Sequence, residues 1–138
     1  MVISAYMLGK FNVRTGRQSE MIDITREVRG QLKEFGAGDG ICCVYVSHTT
    51  AGVTINENAD PDVPRDILYG LDRIAPLRAD YRHAEGNSAA HIKSSLVGSS
   101  ASVIVESGKL VLGTWQSIFF CEFDGPRTRS VYVKYLKG

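Results

Sequence analysis

The chain has 138 residues, with 16 Lys and Arg against 15 Asp and Glu and 43% apolar residues. That is one domain's worth of chain, able to bury roughly two-thirds of its unfolded surface without a disulfide or a metal to hold it. The composition excludes disordered, collagen-like and coiled-coil classes, and a formal net charge of +1 gives no footprint for a nucleic-acid or membrane partner.

Residues 2–13 read as an extended strand, Thr15-Gly16 as a turn, and Arg17 to Ile24 as a return strand, which together predict a hairpin. Thr25 is placed to cap a helix through Glu34, with Val28 and Leu32 on one face and Gly36 as the stop. Ile41 to Ser47 is a β-branched and aromatic run that reads as a buried strand, followed by a polar stretch. Asp60-Pro61-Asp62 starts a second helix with Ile67, Leu68, Leu71 and Ile74 at helical spacing, ended by Pro76. A third helix spans Ser88 to Val97, capped by Asn87 or Ser88, with Ile92 and Leu96 facing inward and Gly98 as terminator. Strands follow at Ala101 to Glu106, Leu110 to Leu112, Trp115 to Phe123 and Ser130 to Leu136. Strands, helices and strands in that order predict a single α+β domain over residues 1–138.

The segment Trp115 to Phe123 carries apolar side chains on both faces: Trp115, Phe119, Cys121 and Phe123 on one, Ile118 and Phe120 on the other. Both faces must then be covered, which implies a second sheet or a neighbouring subunit. Trp115 itself reads as core, with a stacking rim as the alternative. Cys42, Cys43 and Cys121 are odd in number and lack metal-type spacing, so reduced thiols are expected, the adjacent pair on opposite faces of its strand. No apolar run is long enough to span a membrane, and the N-terminus lacks a leader pattern, so a cytoplasmic location is expected.

The chemistry concentrates in the central third. His48 ends the buried strand in Ser47-His48-Thr49-Thr50, near Asn56, Glu57 and Asn58 in the chain; His83 lies in a loop, and His91 near the start of the third helix. Three imidazoles with an open position would make a catalytic metal centre, although the eight-residue gap between His83 and His91 is not a helical ligand pair. The free N–H groups opening the third helix favour an anion. Gly36-Ala37-Gly38-Asp39-Gly40 follows a helix and precedes a strand, the reverse of a dinucleotide fingerprint, and reads as a cap and turn. Near the C-terminus Glu122, Asp124, Arg127 and Arg129 cluster about a turn, where Arg127 is offered either to a phosphate or carboxylate ligand or to Asp124.

Taken in order, His48-Thr49-Thr50-Ala51-Gly52, Ile55-Asn56-Glu57, His83 with Glu85-Gly86-Asn87, His91-Ile92, Leu96-Val97-Gly98-Ser99, Leu112-Gly113-Thr114-Trp115-Gln116 and Glu122-Phe123-Asp124-Gly125-Pro126-Arg127-Thr128-Arg129 resemble the YjbQ family over nearly the whole chain. The resemblance implies a two-sheet β-sandwich with about three helices, assembled as a homotrimer with its polar clusters near subunit boundaries. It also implies a secondary thiamine-phosphate synthase activity, joining a hydroxymethylpyrimidine diphosphate to a thiazole phosphate with release of diphosphate.

On that reading a divalent metal, zinc or magnesium, is held by His48, His83 and His91. Asn56 and Glu57 hold ligand or metal, and one histidine serves as general acid or metal ligand. Thr49, Thr50, Asn87, Gln116, Arg127 and Arg129 bind the phosphorylated metabolite. Two other readings stay open: a metal-dependent hydrolase of a phosphorylated metabolite, and a non-catalytic trimeric binder of a small anion.

Overall fold

The computed structural model describes residues 7–138, so residues 2–6 of the first predicted strand lie outside the described residues. Eight strands and three helices follow: β1 (Leu8–Arg14), β2 (Glu20–Asp23), α1 (Thr25–Glu34), β3 (Gly40–Val46), β4 (Ala51–Glu57), α2 (Asp62–Ile74), α3 (Ser88–Val97), β5 (Ser100–Glu106), β6 (Lys109–Leu110), β7 (Gln116–Glu122) and β8 (Thr128–Lys137). They form a five-stranded sheet in the order β1-β8-β3-β5-β6 and a three-stranded sheet in the order β2-β7-β4, every pairing antiparallel.

The two sheets share one core. Val13, Val44, Val46, Val103, Val131 and Val133 of the larger sheet meet Val53, Ile118 and Phe120 of the smaller, and Val28 and Leu32 of α1 close one edge. The other face of the smaller sheet carries Phe119, Cys121 and Phe123 against Ala90 of α3, with Leu68 and Leu71 of α2 beside them. The prediction that both faces of the segment at 115–123 are covered is thereby met by the opposite sheet on one side and two helices on the other.

The predicted hairpin does not form: β1 pairs with β8 in one sheet and β2 with β7 in the other. Thr15 is the reason. It is buried, its N–H donates to the Arg127 carbonyl at 2.9 Å and its hydroxyl to Glu122 Oε1 at 2.8 Å, so the chain crosses between sheets where a tight turn was expected. The polar stretch after β3 hides a strand, β4. Its Ala51-Gly52-Val53 half is buried on both sides, while polar residues flank it in sequence.

Thr25 opens α1, but its hydroxyl accepts the Ile118 N–H at 2.8 Å, tying the helix to β7 in place of capping it. At the other end Gly36 adopts φ 63°, and the Ala37 N–H reaches back to the Leu32 carbonyl at 3.0 Å, a Schellman closure. On α3 the inward face is Ala89, Ala90, Lys93 and Ser94; Ile92 and Leu96 point outward, Leu96 being 57% exposed. α3 lies close over β4, so three of the four inward residues are small, and Lys93, the exception, donates to Asp72 of α2. A Cβ on Gly52 would stand 2.6 Å from the Gly98 carbonyl oxygen. On α2 no side chain is fully buried, and Ile74 is exposed.

Candidate functional site

The turn from β3 into β4, the side of α3 that carries His91, Ser94 and Ser95, and the Gly98-Ser99 link to β5 enclose an open cavity of about 400 Å³ lined by His48, Thr49, Ala51, His91, Ser94, Ser95, Gly98 and Ser99. Ser94 pins its walls together, its hydroxyl donating to the Thr49 carbonyl at 2.6 Å. The Ser95 hydroxyl donates to the His91 carbonyl at 2.9 Å. His83 stands behind His91, their rings edge to face with centroids 5.4 Å apart, and Glu85 lies 3.9 Å from His83.

Beneath the cavity runs a buried polar network. Arg129 is 2% exposed and Glu122 fully buried. The Arg129 Nε donates to both Glu122 oxygens at 2.9 and 3.1 Å, and its Nη2 donates to Glu122, to Thr50 Oγ1 at 2.8 Å and to the Thr50 carbonyl at 3.3 Å. Burial alone would raise the Glu122 pKa, but hydrogen bonds from Arg129, the Asp124 N–H and Thr15, with the Arg129 charge, hold it below the usual carboxylate range.

One residue past the last β3–β8 pair, Val46 with Val131, the Ser130 N–H donates to His48 Nε2 at 2.9 Å. Burial and the positive charge of Arg129, seconded by Arg127 and Lys10 and opposed by Glu122, depress the His48 pKa. Asp124 links the neighbouring end of α3: its Oδ2 accepts from Asn87 Nδ2 at 2.9 Å and from Arg127 Nη2 at 3.1 Å, and Arg127 Nε donates to its carbonyl at 2.9 Å. The Asn87 Oδ1 is buried with no partner among the described residues.

Several sequence expectations need correction. Arg129 and Thr50 were placed as ligand contacts, yet both are buried and satisfy one another and Glu122. Arg127 is paired with Asp124, though its side chain remains half exposed. Trp115 is not core but 62% exposed, at the mouth of the loop before β7.

Asn56, Glu57 and Gln116 are at the wrong end of the strand for His48. The β4–β7 register sets Ala51 opposite Glu122 and Glu57 opposite Gln116, about 20 Å away at ~3.4 Å per residue. They form a second polar cluster with Asn58, which donates to Asp23 Oδ2 at 2.7 Å, while the Gly113 N–H donates to Gln116 Oε1 at 2.8 Å.

The three-histidine metal site does not assemble either. No set of three or more His, Cys, Asp or Glu side chains suited to a metal ion is gathered among the described residues. The Ser130 N–H also demands a lone pair on His48 Nε2, which puts the single proton of a neutral imidazole on Nδ1 and leaves no free pair for a metal. Ser94 and Ser95 share the early turns of the third helix with His91, as their spacing implies, whereas Gly98 and Ser99 were read only as a helix stop and loop and were missed as cavity residues. Their place opposite the Thr49 turn depends on β4, whose strand character was not read.

A family model described as UPF0047 protein YjbQ-like matches residues 9–138. The chain belongs to the YjbQ family. Among its YjbQ relatives it is similar to UPF0047 protein YugU of Bacillus subtilis, 56% identical over 94% of this chain and 99% of that protein. It is likewise similar to UPF0047 protein MJ1081 of Methanocaldococcus jannaschii, 52% identical over 94% of each chain. A crystal structure of an uncharacterized YjbQ/UPF0047 protein from Clostridium acetobutylicum superposes with a TM-score of 0.90 at 56% identity, covering 92% of this chain and 98% of that one. A hypothetical protein from Aeropyrum pernix gives 0.91 at 38% identity, covering 95% and 98%. YjbQ membership accounts for the α+β fold with its two antiparallel sheets and three helices.

Proposed function

We propose that the cavity between His48 and His91 binds a small phosphorylated metabolite, and that the chain acts there as a transferase of the thiamine-phosphate synthase type. The observation that supports this most is the lining itself: two imidazoles and several hydroxyls in a space of about 400 Å³, within the range that holds small metabolites. At the N-terminus of α3 the Ala90 and His91 N–H groups already bond the Asn87 carbonyl, which leaves those of Ser88 and Ala89 to meet anionic oxygen, and the half-exposed Arg127 would share its charge between such an oxygen and Asp124. In the reaction the thiazole nitrogen attacks the pyrimidine methylene carbon, the bond to diphosphate oxygen breaks, and diphosphate leaves with the electron pair. Arg127 and the α3 N-terminus stabilise that departing charge, and His91 is the general acid for it. Zinc or magnesium has no ready set of protein donors among the described residues.

The second polar cluster enters through assembly. A homotrimer would bring Asn56, Glu57 and Gln116 of a neighbouring subunit toward the cavity, and exposed apolar side chains support such an interface. Ile41, Ile104 and Leu136 lie together on the outer face of the larger sheet, with Ile104 64% exposed, and Leu96 and Trp115 are open as well. A non-catalytic binder is the second reading, favoured by the engagement of His48 Nε2, which removes that nitrogen as a base for any hydroxyl among the described residues of the cavity.

The experiment is turnover of purified protein with hydroxymethylpyrimidine diphosphate and thiazole phosphate. Thiamine phosphate should form and fall at least tenfold in His91→Ala. Saturable binding without product supports the binder, and equal turnover in parent and variant removes the cavity from the reaction.

A further inference from the structure

A backbone N–H can only donate, so the bond from Ser130 to His48 requires an unprotonated Nε2. A neutral imidazole carries one proton, and it must then sit on Nδ1, the ring's remaining polar atom. Protonating both nitrogens would set an N–H against the Ser130 N–H, beside a buried guanidinium.

The charged groups facing the ring are Arg129 and Arg127 at the β8 side, Lys10 on β1 and Glu122 on β7, with His91 of α3 across the cavity. Of these only Glu122 favours a proton, and its carboxylate is committed to Arg129 and Thr15. Arg129 grips both ends of the arrangement. It is the residue next to Ser130, and its Nη2 holds Thr50, two residues from His48, by both hydroxyl and carbonyl.

We infer that the buried Glu122–Arg129 pair is a positioning device that locks His48 as a neutral Nδ1–H tautomer, a fixed hydrogen-bond donor toward an acceptor oxygen of the ligand. His48 is then neither metal ligand nor general base, and proton transfer falls to His91. The ligand half of the inference rests on the cavity's proposed function; the tautomer lock is a property of the protein alone.

The test is nitrogen NMR of the full chain labelled at histidine. Parent His48 should show Nε2 in the unprotonated region and Nδ1 in the protonated region without ligand. Arg129→Lys, which keeps the charge but loses the planar fork, should shift His48 toward mixed tautomers. Thr50→Val, which keeps the shape and loses the hydroxyl, should do the same, whereas Thr50→Ser should restore the parent pattern.

A merely structural pair would lower stability in these variants and leave the tautomer untouched. A protonated Nε2 in the parent, or an unchanged pattern in folded Arg129→Lys and Thr50→Val, overturns the lock. Addition of inorganic pyrophosphate should move the Nδ1–H signal. A locked tautomer that ignores pyrophosphate upholds the lock and overturns the ligand reading on which the donor's purpose depends.

Discussion

Removing one member of the buried pair strands the other. In Arg129→Met the fully buried Glu122 keeps only the Thr15 hydroxyl and the N–H groups of Phe123 and Asp124, and Thr50 loses the donor to its hydroxyl. Breaking a buried ion pair from one side costs about 3–5 kcal/mol. For a chain of this length a kcal/mol moves Tm by about 3–4 °C, so the loss corresponds to about 10–20 °C. Urea and thermal unfolding followed by circular dichroism, at one protein concentration so that assembly contributes equally, measure it. The double variant Glu122→Gln with Arg129→Met removes both charges and should recover part of the loss. A loss below about 1 kcal/mol in Arg129→Met, or a double variant no more stable than that single one, would refute the reasoning.

The pH dependence has two parts. His48 titrates below its unfolded value of about 6.5 in the native state, so stability falls as pH drops from there through the lowered pKa, and His48→Gln should flatten that part of the profile. Glu122 is also depressed, so its contribution is present above the unfolded carboxylate range and is lost as pH falls through the native pKa; Glu122→Gln removes that acid limb. Gly52→Ala places a methyl 2.6 Å from the Gly98 carbonyl and 3.2 Å from Val97 Cγ1, and should cost about 1–3 kcal/mol in urea unfolding, with α3 displaced from β4. Elemental analysis should find the same zinc content in His48→Ala as in the parent, because the locked tautomer offers no lone pair.

The bounds of the third helix and the double burial of the strand at 116–122 were legible in the sequence. α3 runs from Ser88 to Val97 as expected, and β7 is covered on both faces. What was not legible is pairing over distance. Thr15 looks like a turn residue until Glu122, 107 positions away, accepts its hydroxyl. β4 is short, glycine-containing and flanked by polar residues, so its strand character emerges only from the register with β7. The same register separates His48 from Asn56 and Glu57, which eight and nine positions in sequence suggest are neighbours. Ile92 and Leu96 follow a helical spacing that says nothing of which face the chain itself covers; the close approach over Gly52 selects the small residues for the interior. Arg129 reads as a cation offered to a ligand until its burial beside Glu122 is seen.

The central claim is that the His48–His91 cavity takes a phosphorylated ligand. Calorimetric titration of the parent and His91→Ala with inorganic pyrophosphate tests it most directly. Saturable binding at about one site per chain, weakened at least tenfold in His91→Ala, a loss of about 1.4 kcal/mol or more, is the predicted result. Absence of saturable binding in the parent, or equal affinity in the two proteins, would contradict it.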